Sequence, residues 1–317
     1  GSPLINGTTD LHVRLEAELC RVMGVEACAL FSTGFQTNVG AIGCLVGEGD
    51  VVFSDSRNHA SIVEGCRLAK GEVRPFRHND LSDLETQLAA EPGRAKLIVI
   101  DGVYSMGGDL AELPGVVMLA RRYGARLLVD DAHGFGVLGP GGRGTGAHFG
   151  LSHQVDLTMV TFSKALGTVG GCLLGPASVI HYVKHRARSY VFSAAMPPGN
   201  VAATLTSLGL LVEGDALRQR LWENVRQLRE GLAWLGFRLG CGEHHIIAVE
   251  IGDDDVALRM TRQLREAGVF VSGIVQPGVG PGEAMLRVTP MATHTPAEIG
   301  RALAVFAGVG RECGLIR

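Results

Sequence analysis

Two apolar runs that each end in charge constrain most strongly what this chain can fold into. Arg126-Leu127-Leu128-Val129 runs into Asp130-Asp131-Ala132-His133-Gly134, and Leu157-Thr158-Met159-Val160 runs into Thr161-Phe162-Ser163-Lys164-Ala165-Leu166-Gly167-Thr168-Val169-Gly170-Gly171. Short apolar runs without polar alternation suit strands buried on both faces, as in parallel sheets. Lys96-Leu97-Ile98-Val99-Ile100-Asp101 is a third such run, and a helical stretch separates it from Arg126. That alternation predicts an α/β fold of parallel strands with crossover helices. The interval from Asp130 to Lys164 fits one strand-to-strand excursion, which brings both charged ends to neighbouring carboxyl edges of strands, where such sheets bind ligands.

Lysine is almost never fully buried without a partner, so Lys164 at a strand end is either a surface residue or an amine put to use. An amine that can form a Schiff base, beside a carboxylate that can pair with a pyridinium nitrogen, is what pyridoxal phosphate asks of a protein. Lys164 and Asp130 supply that pair.

At these residues the sequence resembles the α-oxoamine synthases, a group within the fold-type-I pyridoxal-phosphate enzymes. The resemblance runs nearly end to end, through Gly7-Thr8-Thr9-x-x-His12, Phe31-Ser32-Thr33-Gly34-Phe35-x-x-Asn38, Asn58-His59-Ala60-Ser61 and Asp101-Gly102-Val103-Tyr104-Ser105-Met106. It continues through Asp130 to Gly139, Thr161 to Gly171 and Phe192-Ser193-x-x-Met196-Pro197-Pro198. Several independent motifs in one order are more specific than any single glycine pattern. The fold it implies is a fold-type-I transferase, with a mainly parallel large domain and a smaller α+β C-terminal domain. The expected division is residues 1–198 for the cofactor-binding domain and 199–317 for the small one. Members of the group carry several dozen further residues before the position of Gly1-Ser2.

The resemblance also implies roles. Lys164 holds the cofactor as a Schiff base, Asp130 faces the ring nitrogen, His59 stacks on the ring, and His133 hydrogen-bonds the ring hydroxyl or an incoming thioester carbonyl. Thr161 and Ser163 bind the phosphate. The turn at Gly34 and Phe35 feeds a helix N-terminus, which suits a phosphate but equally a plain cap; the group often has tyrosine at Phe35. Ser193 reaches the phosphate of a neighbouring subunit, so a homodimer is the expected unit. Arg287 aligns with an arginine that grips the substrate carboxylate, a bidentate contact lysine cannot reproduce. The group's Arg-Pro-Pro is replaced in the preceding loop by Val275-Gln276-Pro277-Gly278. Ser105 and Asp109 either face the cofactor or make turn hydrogen bonds.

The implied reaction condenses a small amino acid with an acyl thioester, acyl-CoA or acyl carrier protein, losing carbon dioxide to give an α-amino ketone. Thr161–Gly171 and the C-terminal third look most like bacterial serine palmitoyltransferase sequences, which favours serine slightly. Asp130-Asp131-Ala132-His133-Gly134 looks like the alanine-using oxononanoate synthases, because the serine enzymes usually have serine at Gly134. Glycine stays open, as do another fold-type-I reaction such as aminotransfer and a non-catalytic partner subunit, although Lys164, Asp130 and His59 oppose the last.

Composition narrows the rest. A formal charge of -3 gives no basic field for nucleic acid. No apolar run approaches a membrane span and no signal peptide stands at the start, so the expectation is a cytoplasmic protein. Seven scattered cysteines without a C-x-x-C pair argue for reduced thiols and against a metal site. The glycine-rich stretch 139–146 is expected to be a mobile loop, and Val269-Phe270-Val271 a strand.

Overall fold

The computed structural model describes residues 1–242 and 244–317. They form two compact units, Gly1–Val103 with Ala111–Gly214, and Tyr104–Leu110 with Asp215–Arg317. In chain order the first unit contains α1 (Asp10–Met23), β1 (Ala27–Phe31), α2 (Gly34–Leu45), β2 (Val51–Asp55), α3 (Ala60–Leu68), β3 (Glu72–Phe76), α4 (Leu81–Ala89) and β4 (Lys96–Asp101). It continues with α5 (Leu113–Arg122), β5 (Arg126–Asp130), α6 (Thr145–His148), β6 (Leu157–Thr161), β7 (Gly171–Gly175), α7 (Ala177–Arg186), α8 (Arg188–Val191) and α9 (Pro198–Glu213).

The strands make one sheet in the order β1-β7-β6-β5-β4-β2-β3, in which β7 alone runs against the others. The reason is local. Strands β2 to β6 are joined by crossovers long enough to return the chain in parallel, whereas β6 and β7 are joined by a tight loop, which permits only an antiparallel return. That loop carries Lys164. Both faces of the sheet are covered. Phe31, Ile42, Val52, Ile62 and Leu128 pack into one core with α2, α3 and α7. Leu15, Leu19, Leu30, Val160, Phe162 and Leu208 pack into the other with α1 and α9.

Helix α9 belongs to this unit because Val201, Leu208 and Leu211 bury against Leu15, Leu19 and Phe162. The boundary expected at 198/199 therefore falls at 214/215. Sequence pattern reads the amphipathic stretch after Pro198 as one texture, whereas burial assigns α9 to the large unit.

In the second unit, α10 (Asp215–Trp234), β8 (Ile247–Gly252), α11 (Asp254–Glu266), β9 (Ser272–Ile274), β10 (Ala284–Val288) and α12 (Pro296–Glu312) follow in order. An antiparallel sheet β8-β10-β9 packs Val249 and Leu286 on Leu228, Met260 and Phe306. The strand expected at 269–271 lies instead at Ser272–Ile274, because β10 pairs with those three residues. Phe270 is 77% exposed under the Arg265 guanidinium.

No helix among the described residues is long and apolar enough to cross a membrane. Among the same residues no cluster of three His, Cys, Asp or Glu side chains is placed to hold a metal.

Candidate active site

Three buried aspartates close the parallel strands: Asp55 ends β2, Asp101 ends β4 and Asp130 ends β5. The carboxyl edge of the sheet is where α/β proteins place ligands. Asp130 is 3% exposed, and each of its carboxylate oxygens accepts a hydrogen bond, Oδ2 from Asn38 Nδ2 at 2.7 Å and Oδ1 from the Ala132 N–H at 3.0 Å. Burial pushes its carboxyl up, and the Lys164 ammonium and the Asn38 amide pull it back.

The same Asn38 amide donates to Ser61 Oγ at 2.9 Å, and Ser61 Oγ lies 2.8 Å from His59 Nδ1. The Ser61 N–H also donates to His59 Nδ1 at 3.2 Å, so Nδ1 is the acceptor nitrogen and Nε2 carries the ring proton. His59 caps α3 with its ring on the open side of the site. Burial holds its pKa below the ordinary 6.5, against the pull of Asp130, so the ring is neutral near pH 7. Its own N–H donates to Asp101 Oδ2 at 3.0 Å. Asn38, Ser61 and His59 thus tie the ends of β4 and β5 into one network.

Lys164 sits on the loop between β6 and β7. Phe162 is fully buried beneath it, while Ser163, Lys164 and Ala165 face outward. Main-chain bonds close the loop: Phe162 N–H to Gly170 O at 2.9 Å, Thr168 N–H to Phe162 O at 2.9 Å and Gly167 N–H to Lys164 O at 3.0 Å. Gly167 and Gly170 have φ of +63° and +146°, backbone that side chains disfavour, so the tight return needs glycine there.

Thr161 Oγ1 lies 3.2 Å from Ser163 Oγ, beside the first turn of α2. A Cβ on Gly34 would come 2.8 Å from Thr161 Oγ1, so glycine lets the helix N-terminus approach the end of β6. Thr33 caps that helix through Gln36 N–H at 3.2 Å. The Gly34 and Phe35 amides belong to the first turn, whose N–H groups have no partner within a helix. Two hydroxyls, the remaining open N–H groups of a helix first turn, an amine and a buried carboxylate form a set that fits pyridoxal phosphate.

Of the other expected residues, His133 is half-buried just past β5, and Ser193 Oγ accepts from Gln36 Nε2 at 3.3 Å. Phe35 is 47% exposed. In the second unit Arg287 lies on β10, half-buried, with its Nε unpartnered and its pKa lowered by burial. Ser105 and Asp109 belong to that unit's segment Tyr104–Leu110. Sequence reading assigned no role to Asn38, Ser61 or Asp101. Asp101 carried a signal, since it ends its apolar run as Asp130 does; Asn38 and Ser61 lay within the resembling motifs, but nothing in their neighbours along the chain revealed their roles, because their partners lie on other elements.

The stretch 139–146 is pinned. Asp131, fully enclosed, accepts from Thr145 N–H at 2.8 Å and Thr145 Oγ1 at 2.5 Å. A Cβ on Gly144 would lie 1.7 Å from Asp131 Oδ2 and one on Gly134 2.1 Å from Asp131 Oδ1, so glycines let the loop fold onto this carboxylate. Burial pushes Asp131 up to about 6. Thr145→Val, which keeps the N–H bond and loses the hydroxyl, is expected to cost about 1.5–3 kcal/mol at pH 8, where Asp131 is ionised. The loss falls to about 1 kcal/mol as pH drops below the Asp131 titration and the bond becomes neutral. Urea midpoints at the two pH values measure both.

Residues 4–306 match the family described as aminotransferase class I and II. The serine palmitoyltransferase of Sphingobacterium spiritivorum is 45% identical over 98% of this chain and 78% of its own length. The 8-amino-7-oxononanoate synthase of Symbiobacterium thermophilum is also 45% identical, over 98% of this chain and 80% of its own. A serine palmitoyltransferase from S. paucimobilis, solved with PLP and myriocin bound, superposes with a TM-score of 0.97 at 40% identity, covering 100% of this chain and 80% of that one.

Proposed function

Because this chain belongs to the aminotransferase class I and II family, and within it to the α-oxoamine synthases, we propose that the network around Lys164, Asp130 and His59 is its working centre. The enzyme is a PLP-dependent acyltransferase that condenses an amino acid with an acyl thioester and loses carbon dioxide. The observation that carries the site assignment is the position of Asp130, a buried carboxylate at the end of β5 that accepts a hydrogen bond on each oxygen, next to the loop that presents Lys164.

When bound, pyridoxal phosphate supplies an electron sink for the pair left at the amino-acid Cα. Lys164 Nζ would hold the cofactor and would be the base that takes the Cα proton and later returns one. Asp130 keeps the pyridine nitrogen protonated through a charge-assisted hydrogen bond. The His59 ring would supply a flat face against which the bound ring is held. Thr161 and Ser163 hydroxyls and the Gly34 and Phe35 amides bind the phosphate. His133 donates to the ring hydroxyl or to the thioester carbonyl. Arg287 pairs with the substrate carboxylate, which would satisfy its buried Nε. Ser193 contributes to the phosphate site of a second copy in a homodimer.

The amino acid we favour is L-serine, with a long acyl thioester, on the likeness of Thr161–Gly171 and the C-terminal third to serine palmitoyltransferases. One observation favours L-alanine: a Cβ at residue 134 would collide with Asp131 Oδ1 at 2.1 Å, so no serine hydroxyl can occupy that position while the loop is pinned. Product mass and carbon dioxide release, measured with palmitoyl-CoA and each of L-serine, L-alanine and glycine, decide between them. Serine is expected to exceed alanine in kcat/KM by at least about tenfold. The reverse order moves the assignment to alanine, and turnover independent of any thioester overturns the condensation reading.

A further inference from the structure

Asp101 is a buried acid that the chemistry above does not use. It is 4% exposed and is the register partner of Asp130 across β4 and β5, so the two side chains leave the sheet on the same face. Their surroundings differ. Asp130 accepts two hydrogen bonds, one on each oxygen, and has the Lys164 ammonium as its strongest charged partner. Among the described residues, Asp101 accepts one hydrogen bond, from the His59 N–H to Oδ2, and the Asn58 side chain is spent on its backbone N–H and on Val99 O. The charged groups that face Asp101 are Asp130 on β5, Lys164 on the loop after β6 and Asp55 on β2, with the neutral His59 ring before α3.

Two carboxylates held side by side in a low-dielectric site cannot both ionise, and the proton goes to the one with fewer donors. We propose that Asp101 and Asp130 hold one proton between them across the neutral range, that it resides on Asp101, and that Asp101 is thereby a positioning residue, setting the charge on Asp130 and fixing the backbone of His59.

The arrangement has a chemical consequence. A neutral acid beside Asp130 adds no second negative charge to the site, so the attraction on the ring nitrogen comes from Asp130 alone. An ionised Asp101 would raise Asp130 and compete with it for Lys164. The burial of Asp101 and the charge of Asp130 both drive its carboxyl well above the ordinary range.

The test is an infrared difference spectrum of wild type minus Asp101→Asn, taken on cofactor-free protein at pH 8, above the titration of Asp131 at about 6. The expected result is the C=O stretch of a protonated carboxylic acid, shifted in heavy water and absent from the variant. A difference spectrum showing only carboxylate bands overturns the proposal. Should Asp101→Asn not fold, wild type grown with carboxyl-labelled aspartate gives the same answer at pH 8: an acid band supports the assignment and its absence refutes it, with Asp131→Asn as the control that Asp131 is not its source. A second readout is pyridoxal-phosphate affinity. Asn, isosteric with the neutral acid, is expected to retain within about threefold the affinity that Ala loses by tenfold or more, as for a buried hydrogen bond left unmade; equal losses in both variants count against the neutral-acid role. The inference rests on the role given to Asp130, but the infrared reading involves no cofactor and no turnover, so it can fail while that role stands.

Discussion

Lys164→Ala is expected to lower turnover by about 10³-fold or more, the range for removing a positioned proton-transfer group, with loss of covalent attachment added to it. At 1.36 kcal/mol per decade this is about 4 kcal/mol or more of transition-state stabilisation. The fold is expected to survive. The loop that presents Lys164 is held by Phe162, fully buried, and by the main-chain bonds from Phe162, Thr168 and Gly167, none of which involves the lysine side chain. Circular dichroism of the cofactor-free variant should match wild type, while the absorbance band of the bound cofactor should be lost or displaced. Turnover within tenfold of wild type would remove Lys164 from the mechanism.

Asp130→Asn is expected to have the next largest effect. Removing one member of a buried charge pair costs about 3–5 kcal/mol, which corresponds to about 10²–10⁴-fold at 1.36 kcal/mol per decade. On the proposed role, the loss should be shared between cofactor affinity and kcat, because a carboxylate there would both hold the ring and keep its nitrogen protonated. The cofactor-free protein should respond in the opposite sense. Burial raises the Asp130 carboxyl above its ordinary 3.8. A carboxyl raised on folding contributes stability that is fully present below 3.8 and lost as pH rises through the folded value. Wild type is therefore expected to lose stability relative to the Asn variant, which has nothing to titrate there, as pH rises above 3.8. Denaturant midpoints of both proteins across that range measure the divergence. Parallel curves would mean that Asp130 is not strained by its burial.

These two residues were legible in the sequence for a simple reason. Asp130 ends one buried strand and Lys164 lies three residues past another, so the strand pattern places both near the carboxyl edge before any coordinates are known. His59 could be assigned only by resemblance, since a histidine before a helix reads equally as a cap, and it is indeed also the cap of α3. The division of the chain was misplaced because amphipathic pattern records that α9 has an apolar face but not which core that face enters. The stretch 139–146 was expected to move because its glycines permit movement. In the folded chain the same glycines bring the backbone against Asp131, and freedom becomes close packing.

Strand periodicity and motif order, which are properties of neighbours along the chain, were enough to give the order of strands and helices and the class of chemistry, and to point to Asp130 and Lys164 as the proposed pair. Tertiary structure alone decided what state those groups are in. Asn38 sits on α2, Ser61 on α3, Asp101 on β4 and Asp130 on β5, and only folding brings one amide between two of them. The raised carboxyl of Asp130, the lowered imidazole of His59 and the proton assigned to Asp101 follow from burial and from groups distant in sequence. Protonation in a buried site depends on distance and dielectric, and neither is written in the order of the residues.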